Sequence, residues 1–276
     1  WNKIAEEIRE TKKQFGQNYI SGTRRTDFAE AQDFEEVPIE AMIEREPITV
    51  VCSSMGWIRA MNGHIDLTRE LKFKDGDGPG IIFHAQTTDK LLALASNGRF
   101  YTILASSLPG GRGMGEPLRL MVDIPDEALI VNLITFRPGQ KLLVASSTGD
   151  GFIVTHDDVV AQTKSGKQIL NTRGDAVAKI CHDICGDHVA VVGENRKVLI
   201  FPICEIPEMV RGKGVRLQKY KEGGLSDITT FDLLDGLSWL DPAGRTRTET
   251  NLEEWIGNRA TAGRMAPRGF PRNKKF

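Results

Sequence analysis

The hydrophobic positions among the first fifteen residues have the spacing of an amphipathic helix. They are Trp1, Ile4, Ile8 and Phe15. Intervals of three, four and seven residues place them on one side of a helix, and Gly16 is a residue at which helices commonly end. The stretch 27–46 is rich in Asp and Glu and has Arg45 as its only basic residue, which is typical of a linker. We therefore predict a short helix and an acidic linker over residues 1–46.

After Pro47, short apolar runs of strand length alternate with turn residues, and one such unit recurs five times. Each copy is an apolar strand, a turn and a return strand. The turn positions, which lie 42, 51, 46 and 49 residues apart, are Gly56, Gly98, Gly149, Asn195 and Gly244. Because Asn tolerates positive φ better than most non-glycine residues, Asn195 indicates the same turn geometry as the four glycines.

A repeat of this length with several strands per unit predicts blades arranged around a common axis. One blade cannot bury both faces of its sheet, so neighbouring blades must cover each other. We therefore predict an all-β, propeller-like domain of about five four-stranded blades. The blades are expected near residues 47–88, 89–138, 139–186, 187–234 and 235–276. A β-sandwich with hairpins of chance similarity is the alternative.

The composition is that of a globular protein with a hydrophobic core: 276 residues, 40% hydrophobic and 26% charged. No apolar run approaches the roughly 18 residues that a membrane-spanning helix needs. Four cysteines are too few for a disulfide framework, so a reducing cytoplasm is expected. Because the sequence opens at Trp1 with neither a start Met nor a signal peptide, we expect a fragment of a longer polypeptide.

The net charge of −1 is unevenly distributed along the chain. Residues 1–88 contain 11 basic and 15 acidic side chains, whereas residues 196–276 contain 15 basic and 10 acidic ones. A basic C-terminal third is compatible with binding to a polyanionic partner, although the total charge is almost neutral.

No convincing catalytic or metal-binding constellation is present in the sequence. Cys181, His182 and Cys185 resemble half of a zinc site, but a structural site needs a second pair, and Cys204 has no partner nearby. We expect Cys181 and Cys185 to pack on one face of a strand. The phosphate-binding loop of nucleotide-binding enzymes and the His-Glu-x-x-His motif are missing. These absences favour a binding domain without catalytic residues or metal ligands.

A second motif, a loop of glycines and basic residues, follows the hairpins. Its copies are Gly110-Gly111-Arg112-Gly113-Met114-Gly115, Lys164-Ser165-Gly166-Lys167, Arg211-Gly212-Lys213-Gly214-Val215-Arg216 and Thr261-Ala262-Gly263-Arg264. Over residues 47–276 this repeat resembles the C-terminal domain of the A subunit of bacterial type IIA topoisomerases, a β-pinwheel. The string from Phe15-Gly16 to Arg24-Arg25-Thr26 is similar to the end of that family's breakage-reunion region. The resemblance implies that residues 1–46 belong to that region and that 47–276 form a DNA-binding β-pinwheel.

Two paralogous members of this family share the β-pinwheel. The gyrase A protein carries a box of the type Gln-Arg/Lys-Arg-Gly-Gly-Arg/Lys-Gly in its first blade. The nearest stretch here, residues 110–116, lacks the leading Gln-Arg-Arg and falls in the second unit. Ser107-Leu108-Pro109, followed by Arg-Gly-x-Gly-Glu-Pro-Leu at 112–118, resembles the A subunit of topoisomerase IV (ParC), whose boxes are degenerate. A gyrase A domain that wraps DNA is the alternative within the family.

The resemblance implies a DNA-binding domain of a type II topoisomerase that is not itself catalytic. Such a domain binds and bends duplex DNA and presents a segment for ATP-dependent strand passage, in decatenation and relaxation during chromosome segregation. The expected partners are double-stranded DNA, the ATPase B subunit in an A2B2 heterotetramer, and a second A subunit through regions outside 1–276. Mg and ATP would be used by other parts of the holoenzyme, with no cofactor in this chain. The expected location is the bacterial cytoplasm at the nucleoid, with peripheral contact to the inner membrane as a further option.

Candidate DNA-binding residues are loop cations beside glycine, since glycine lets backbone N–H groups approach phosphate. The repeated loops contribute Arg112, Lys164, Lys167, Arg211, Lys213, Arg216 and Arg264. The hairpin turns contribute a second set, Arg99, Arg196, Lys197, Arg245 and Arg247. Contacts to the DNA backbone rather than to bases are expected. A propeller-type protein-interaction scaffold is the alternative from another functional class. Convergence of the cations of the last three repeats on one rim would favour DNA binding over this scaffold.

Overall fold

The computed structural model describes residues 1–23, 26, 44–241 and 243–276, and the chain divides into two compact units, 1–42 and 43–276. In the first unit the predicted helix is present as α1, Asn2–Phe15. Gly16 follows with extended backbone (ψ 152°), and its N–H donates to the carbonyl of Lys12. No residue of α1 is buried. The predicted acidic linker lies outside the described residues up to position 43.

The second unit is built almost entirely from β-strands. In chain order, those of the described residues are β1 (Pro47–Ser53), β2 (Trp57–Asn62), β3 (Pro79–Gln86), β4 (Lys90–Ala95), β5 (Arg99–Leu104), β6 (Glu116–Pro117), β7 (Ile130–Thr135), β8 (Lys141–Ser146), β9 (Asp150–Thr155), β10 (Lys167–Gln168), β11 (Ala178–Asp183), β12 (His188–Gly193), β13 (Lys197–Pro202), β14 (Val215–Arg216), β15 (Leu225–Phe231), β16 (Leu237–Leu240), β17 (Thr246–Glu249) and β18 (Arg264–Met265). One short helix, α2 (His156–Val159), and three 3₁₀ turns interrupt them, at Ala105–Ser107, Leu118–Leu120 and Ile203–Glu205. The all-β class is confirmed.

The strands form four four-stranded antiparallel sheets, which we call blades 1 to 4. Their strand orders are β3-β1-β2-β6, β10-β5-β4-β7, β11-β8-β9-β14 and β15-β12-β13-β18. Three strands of each blade come from one repeat, and the fourth, only two residues long, comes from the next repeat. We call β6, β10, β14 and β18 the donated strands. Each predicted repeat therefore gives one strand to the blade before it, and this exchange fastens neighbouring blades together.

The hairpin turns share one geometry, but the residue that occupies the glycine position in blade 4 differs from the prediction. Positive φ angles occur at Gly56, Gly98, Gly149 and Gly244, and in blade 4 at Arg196 (φ 62°) rather than at Asn195. The Oδ1 atom of Asn195 instead accepts a hydrogen bond from the N–H of Lys197 (3.0 Å). Asn97 does the same for Arg99 (3.0 Å) in blade 2. Asn195 therefore stabilises the turn through its side chain, and the strained conformation falls on its neighbour.

Apolar clusters lie between successive blades, because alternate residues of a strand point to opposite faces of its sheet. In β4, Leu91 belongs to the cluster shared with blade 1 and Leu92 to the cluster shared with blade 3. Phe100 and Phe152 meet in that second cluster, and both are fully buried. Since both faces are covered, the central strands are continuous apolar runs rather than alternating ones. This confirms that neighbouring blades cover each other.

The fifth repeat differs from the predicted four-stranded blade, since it forms a two-stranded hairpin, β16-β17, in the described residues. The segment that follows the hairpin donates β18 to blade 4 and then packs as side chains instead of pairing as a third strand. The Phe270 ring lies 5.7 Å from that of Trp239 and 5.4 Å from that of Phe276. The N–H of Phe276 donates to Asp227 (2.9 Å) in blade 4. The segment after the hairpin thus contributes aromatic packing against Trp239, whereas the corresponding segments of the other repeats add a third strand at the edge of the hairpin.

The cysteines do not share one strand face as predicted. Cys181 is buried in β11, whereas Cys185 lies beyond the end of that strand and is exposed. Nowhere in the described ranges do three or more His, Cys, Asp or Glu residues gather in a way that could hold a metal ion. Within the same ranges, no helix has the length and apolar character needed to cross a membrane.

Candidate nucleic-acid interface

A glycine with positive φ precedes each donated strand. These residues are Gly115, Gly166, Gly214 and Gly263, with φ of 87°, 71°, 81° and 68°. Each lies against the outer strand of the preceding blade. A Cβ at Gly214 would overlap the carbonyl oxygen of Gly151 in β9, and one at Gly115 would overlap that of Ile58 in β2. The repeated glycine is therefore required for docking the donated strand, whatever the loop binds.

The donated strands bring basic residues from two different repeats together. We call the ends of the blades that carry the hairpin turns the turn edge (residues 53–57, 95–99, 146–150, 193–197 and 241–245) and the opposite ends the far edge. Each donated strand pairs with the residues that follow a turn. Gln168 lies opposite Arg99, and Arg216 lies opposite Asp150. Turn cations of one repeat thus meet loop residues of the next.

In blade 2 this pairing orients Arg99. Its Nε donates to Oε1 of Gln168 (3.1 Å), and its Nη1 donates to the carbonyl of Ser165 (2.5 Å). The Gln168 amide is itself held, since Nε2 donates to the carbonyls of Asn97 (3.1 Å) and Leu170 (2.8 Å). A guanidinium fixed on one side presents its remaining N–H groups in a defined direction.

In blade 3 a buried carboxylate occupies the position equivalent to Arg99. Asp150 is 3% exposed, and its two oxygens each lie 3.0 Å from a cation, Nζ of Lys213 and Nε of Arg216. Nη1 of Arg216 also donates to the carbonyl of Thr148 (2.7 Å). Both cationic side chains remain partly exposed, 46% for Lys213 and 43% for Arg216. Asp150 therefore fixes two of the predicted residues at the turn edge.

Blade 4 and the last hairpin add the remaining turn-edge cations. Arg264, in the donated strand β18, is exposed and lies opposite Val198, one residue beyond the blade 4 turn that contains Arg196 and Lys197. Nη2 of Arg196 donates to the carbonyl of Phe270 (3.0 Å). In the hairpin, Oδ2 of Asp241 is 3.4 Å from Nε of Arg245 and 3.2 Å from Nε of Arg247. Eight of the predicted residues thus lie at the turn edge, and Arg264 lies one residue beyond it. The eight are Arg99, Arg196, Lys197, Arg211, Lys213, Arg216, Arg245 and Arg247.

The other three predicted residues lie away from the turn edge, on the outer side of the blades. Arg112 is exposed beside β2. Lys164 lines a separate cavity with Thr102 and Leu104. Nζ of Lys167 donates to the carbonyl of Asp158 in α2 (2.5 Å). Contact of these three with DNA stays a prediction, and they do not join the turn-edge group.

Arg173, which was not among the predicted residues, lies in the same group. With Arg99, Arg211 and Lys213 it lines an open cleft of about 580 Å³ between the turn edges of blades 2 and 3. The residues lining this cleft are all polar, and none is acidic. Arg173 precedes Gly174, so it meets the criterion of a loop cation beside glycine. It was missed because it lies after the donated strand, outside the repeated loop.

The far edge is rich in acidic residues. Acidic residues there, next to the strand ends, are Asp89, Asp157, Asp158, Asp187, Glu208 and Asp232. Lys141, at the far edge of blade 3, forms an ion pair with Glu208. The turn edge carries both signs, since Asp150, Glu194 and Asp241 lie among its cations, but each of these carboxylates is paired with a basic side chain. A polyanion approaching the domain is attracted to the turn-edge cations that have no acidic partner.

The Asp241 carboxylate is expected to stabilise the last hairpin in a pH-dependent way. The backbone N–H of Arg245, joined by the Arg247 side chain and the N–H of Ala243, holds the pKa of Asp241 below its usual value, against the opposing effect of burial. Because the pKa is lower in the folded state, this contribution is present above the unfolded pKa of about 3.9 and is lost as the pH falls through the folded-state value.

We therefore expect Asp241→Asn to lower the thermal unfolding midpoint at pH 7 and the gap to the unsubstituted chain to narrow below about pH 4. Circular dichroism melts between pH 7 and pH 3 measure this gap. A gap that is constant across the range would show that the carboxylate charge does not stabilise the hairpin.

Comparison with known proteins places the fold. A family model described as "DNA gyrase C-terminal domain, beta-propeller" matches residues 89–137, 140–180 and 187–230. The solved structure of the E. coli ParC C-terminal domain superposes with a TM-score of 0.70 at 28% identity, covering 82% of this chain and 96% of that one.

Curated relatives extend the match over the chain. The A subunit of DNA topoisomerase 4 from Caulobacter vibrioides is 48% identical over 255 residues, which is 92% of this chain and 34% of the relative. The protein of the same name from Rickettsia conorii is 44% identical over 277 residues, 100% of this chain and 37% of the relative. The chain thus spans about a third of the length of these relatives. It belongs to the family of gyrase A C-terminal domains, in the branch formed by the A subunits of topoisomerase IV.

Proposed function

We propose that this domain binds duplex DNA through its phosphate backbone, along the turn edge. The observation that carries the proposal is the convergence of cations on one edge, with acidic residues at the other. Hairpin turns and donated-strand loops of the second, fourth and fifth repeats supply these cations, and Arg173 adds one from the third. Cations that neutralise phosphates release condensed counterions, which supplies affinity without sequence preference. The membership of the family supports the same partner.

In the larger protein, the domain presents the bound segment for strand passage. The relatives are named as A subunits of topoisomerase IV, which supports a role in a type II topoisomerase that decatenates and relaxes DNA during chromosome segregation. On this proposal the catalytic residues lie outside the chain, as do the sites for Mg and ATP. The remaining partners are an ATPase B subunit, in an A2B2 assembly, and a second A subunit. The location is the bacterial cytoplasm, at the nucleoid.

Bending of the DNA, rather than strong wrapping, fits the degenerate box of this chain. The loop beside blade 1 contains Arg112 and Glu116 but not the leading Gln-Arg-Arg of the gyrase A box. Two further cations lie near the blade 1 turn, Lys74 over the Trp57 ring (3.8 Å to its centre) and Arg119 in a cavity beside the turn. We expect the domain to constrain little negative supercoiling, whereas a gyrase-type wrapping domain would constrain much of it.

Fluorescence anisotropy with a labelled duplex across a salt series tests the proposal. The logarithm of the affinity should fall linearly with the logarithm of the salt concentration, with a slope of about −0.9 for each phosphate contacted. A slope equivalent to about four or more contacts is the expected result. Duplexes of unrelated sequence should give the same slope, because backbone contacts carry no sequence information.

A chain that does not bind duplex DNA even at low salt would contradict the proposal. The acidic far edge would then favour the second candidate, a scaffold that binds a protein with a basic surface.

A further inference from the structure

We infer that the cleft between the turn edges of blades 2 and 3 is a preformed site for a phosphodiester group of the DNA backbone, and that Arg173 contacts this group. The inference rests on the proposed DNA-binding function. It assigns one DNA-anchoring point within the turn edge, and it adds Arg173, which the repeated sequence loop does not contain, to the DNA-binding residues.

The charge of the cleft is unbalanced. Four cations line it, and no acidic residue does so among the described residues. The nearest buried carboxylate, Asp150, already pairs with Lys213 and with Arg216. Arg173 and Arg211 are exposed, and their side chains form no hydrogen bond or ion pair within the described part of the chain. Arg99, Arg173 and Arg211 therefore lack an acidic partner among the described residues. Like charges in one cleft repel each other, and a bound anion relieves this repulsion.

The cleft is held open by backbone hydrogen bonds between repeats. The N–H of Asn171 donates to the carbonyl of Gly212 (2.7 Å), and the N–H of Gly212 donates to that of Ile169 (3.0 Å). These bonds join the loop that carries Arg173 to the loop that carries Arg211. The backbone spacing of Arg173 and Arg211 is therefore set by the blade architecture, and only their exposed side chains need to adjust when an anion enters.

The chemistry of the lining fits a phosphodiester. Guanidinium groups bind phosphate oxygens with two parallel hydrogen bonds, and the Asn171 and Thr172 side chains supply neutral donors of the kind found at DNA backbones. The cleft also continues the row of cations formed by Arg216 and by the blade 4 turn. This continuity favours a phosphate within a DNA strand over a free phosphate compound.

The test compares Arg173→Ala with Arg137→Ala in the 276-residue chain. Arg137 is an exposed arginine after β7, at the far edge, and is the matched control. We expect Arg173→Ala to raise the Kd for a duplex roughly 3- to 10-fold at about 0.1 M salt and to reduce the magnitude of the salt slope by about 1. Arg137→Ala should leave both unchanged. Arg173→Lys should retain the salt slope, because the charge is kept, but lose part of the affinity, because a lysine cannot bind the phosphate with two parallel bonds.

Inorganic pyrophosphate at constant ionic strength distinguishes the source of the phosphate. It should not displace the duplex at micromolar concentration, and displacement there would reassign the cleft to free phosphate compounds. An unchanged Kd and slope for Arg173→Ala, with normal binding by the unsubstituted chain, would overturn the assignment of the cleft alone. Loss of binding by the unsubstituted chain would instead overturn the proposed function.

Discussion

Gly214→Ala should destabilise the β domain by about 3 kcal/mol or more. Gly214 adopts φ 81°, and the new Cβ would overlap the carbonyl oxygen of Gly151. The carbonyl oxygen is a backbone atom and the position of a Cβ is fixed by its own backbone, so a rotamer change cannot relieve the overlap, and β14 must shift away from blade 3. Because β14 holds Arg216 against Asp150, duplex affinity should fall with it. Urea unfolding followed by circular dichroism gives the stability, and anisotropy gives the affinity.

Gly139→Ala separates the penalty for a positive φ angle from the penalty for the steric overlap. Gly139 also has positive φ (72°), but a Cβ there would meet nothing within 4 Å. The conformational penalty alone, about 1–2 kcal/mol, is expected. Equal losses for the two variants would show that the donated strand is not docked as closely as the structure describes.

The double variant Arg211→Glu/Arg264→Glu should weaken duplex binding roughly 10- to 100-fold at about 0.1 M salt. Both residues are exposed, Arg211 at the turn edge and Arg264 one residue beyond it, and neither side chain has a hydrogen bond or ion pair in the described ranges. The fold should therefore tolerate the change, while two phosphate contacts become repulsive. The salt slope should also become shallower, since fewer counterions are released.

The control for charge itself is Arg137→Glu/Lys141→Glu at the far edge. It changes the net charge by the same amount, so a loss caused by long-range repulsion alone would appear in both double variants. Equal affinity losses would therefore contradict a DNA path along the turn edge. Thermal melts of both proteins establish that each remains folded.

The blade architecture could be predicted because the apolar hairpins recur with a regular spacing. The exchange of the fourth strand could not, since β6 or β14 contains only two residues and pairs with a sheet whose other strands belong to the previous repeat. Two residues carry no periodic signal. The glycine before each donated strand was visible, but its docking function becomes apparent only when the Gly151 carbonyl is seen beside Gly214.

The residue types of the candidate site could be predicted from the sequence, but the positions of several of these residues on the domain could not. Cations beside glycine in the repeated loops identified Arg211 and Lys213, which the structure brings to the turn edge. The same criterion included Lys167, whose ammonium group faces the Asp158 carbonyl instead. Asp150 could not be found, because an acidic residue after a turn glycine is ordinarily solvated, and only the tertiary structure places two cations against it.

Lysine footprinting tests the central claim most directly, because it reports which edge of the domain the DNA covers. The chain is acetylated with and without saturating duplex, and each lysine is quantified by mass spectrometry. Lys213 and Lys197, at the turn edge, should be protected by DNA, whereas Lys141, at the far edge, should be labelled equally in both samples. Protection of Lys141 with unchanged labelling of Lys213 would contradict binding along the turn edge.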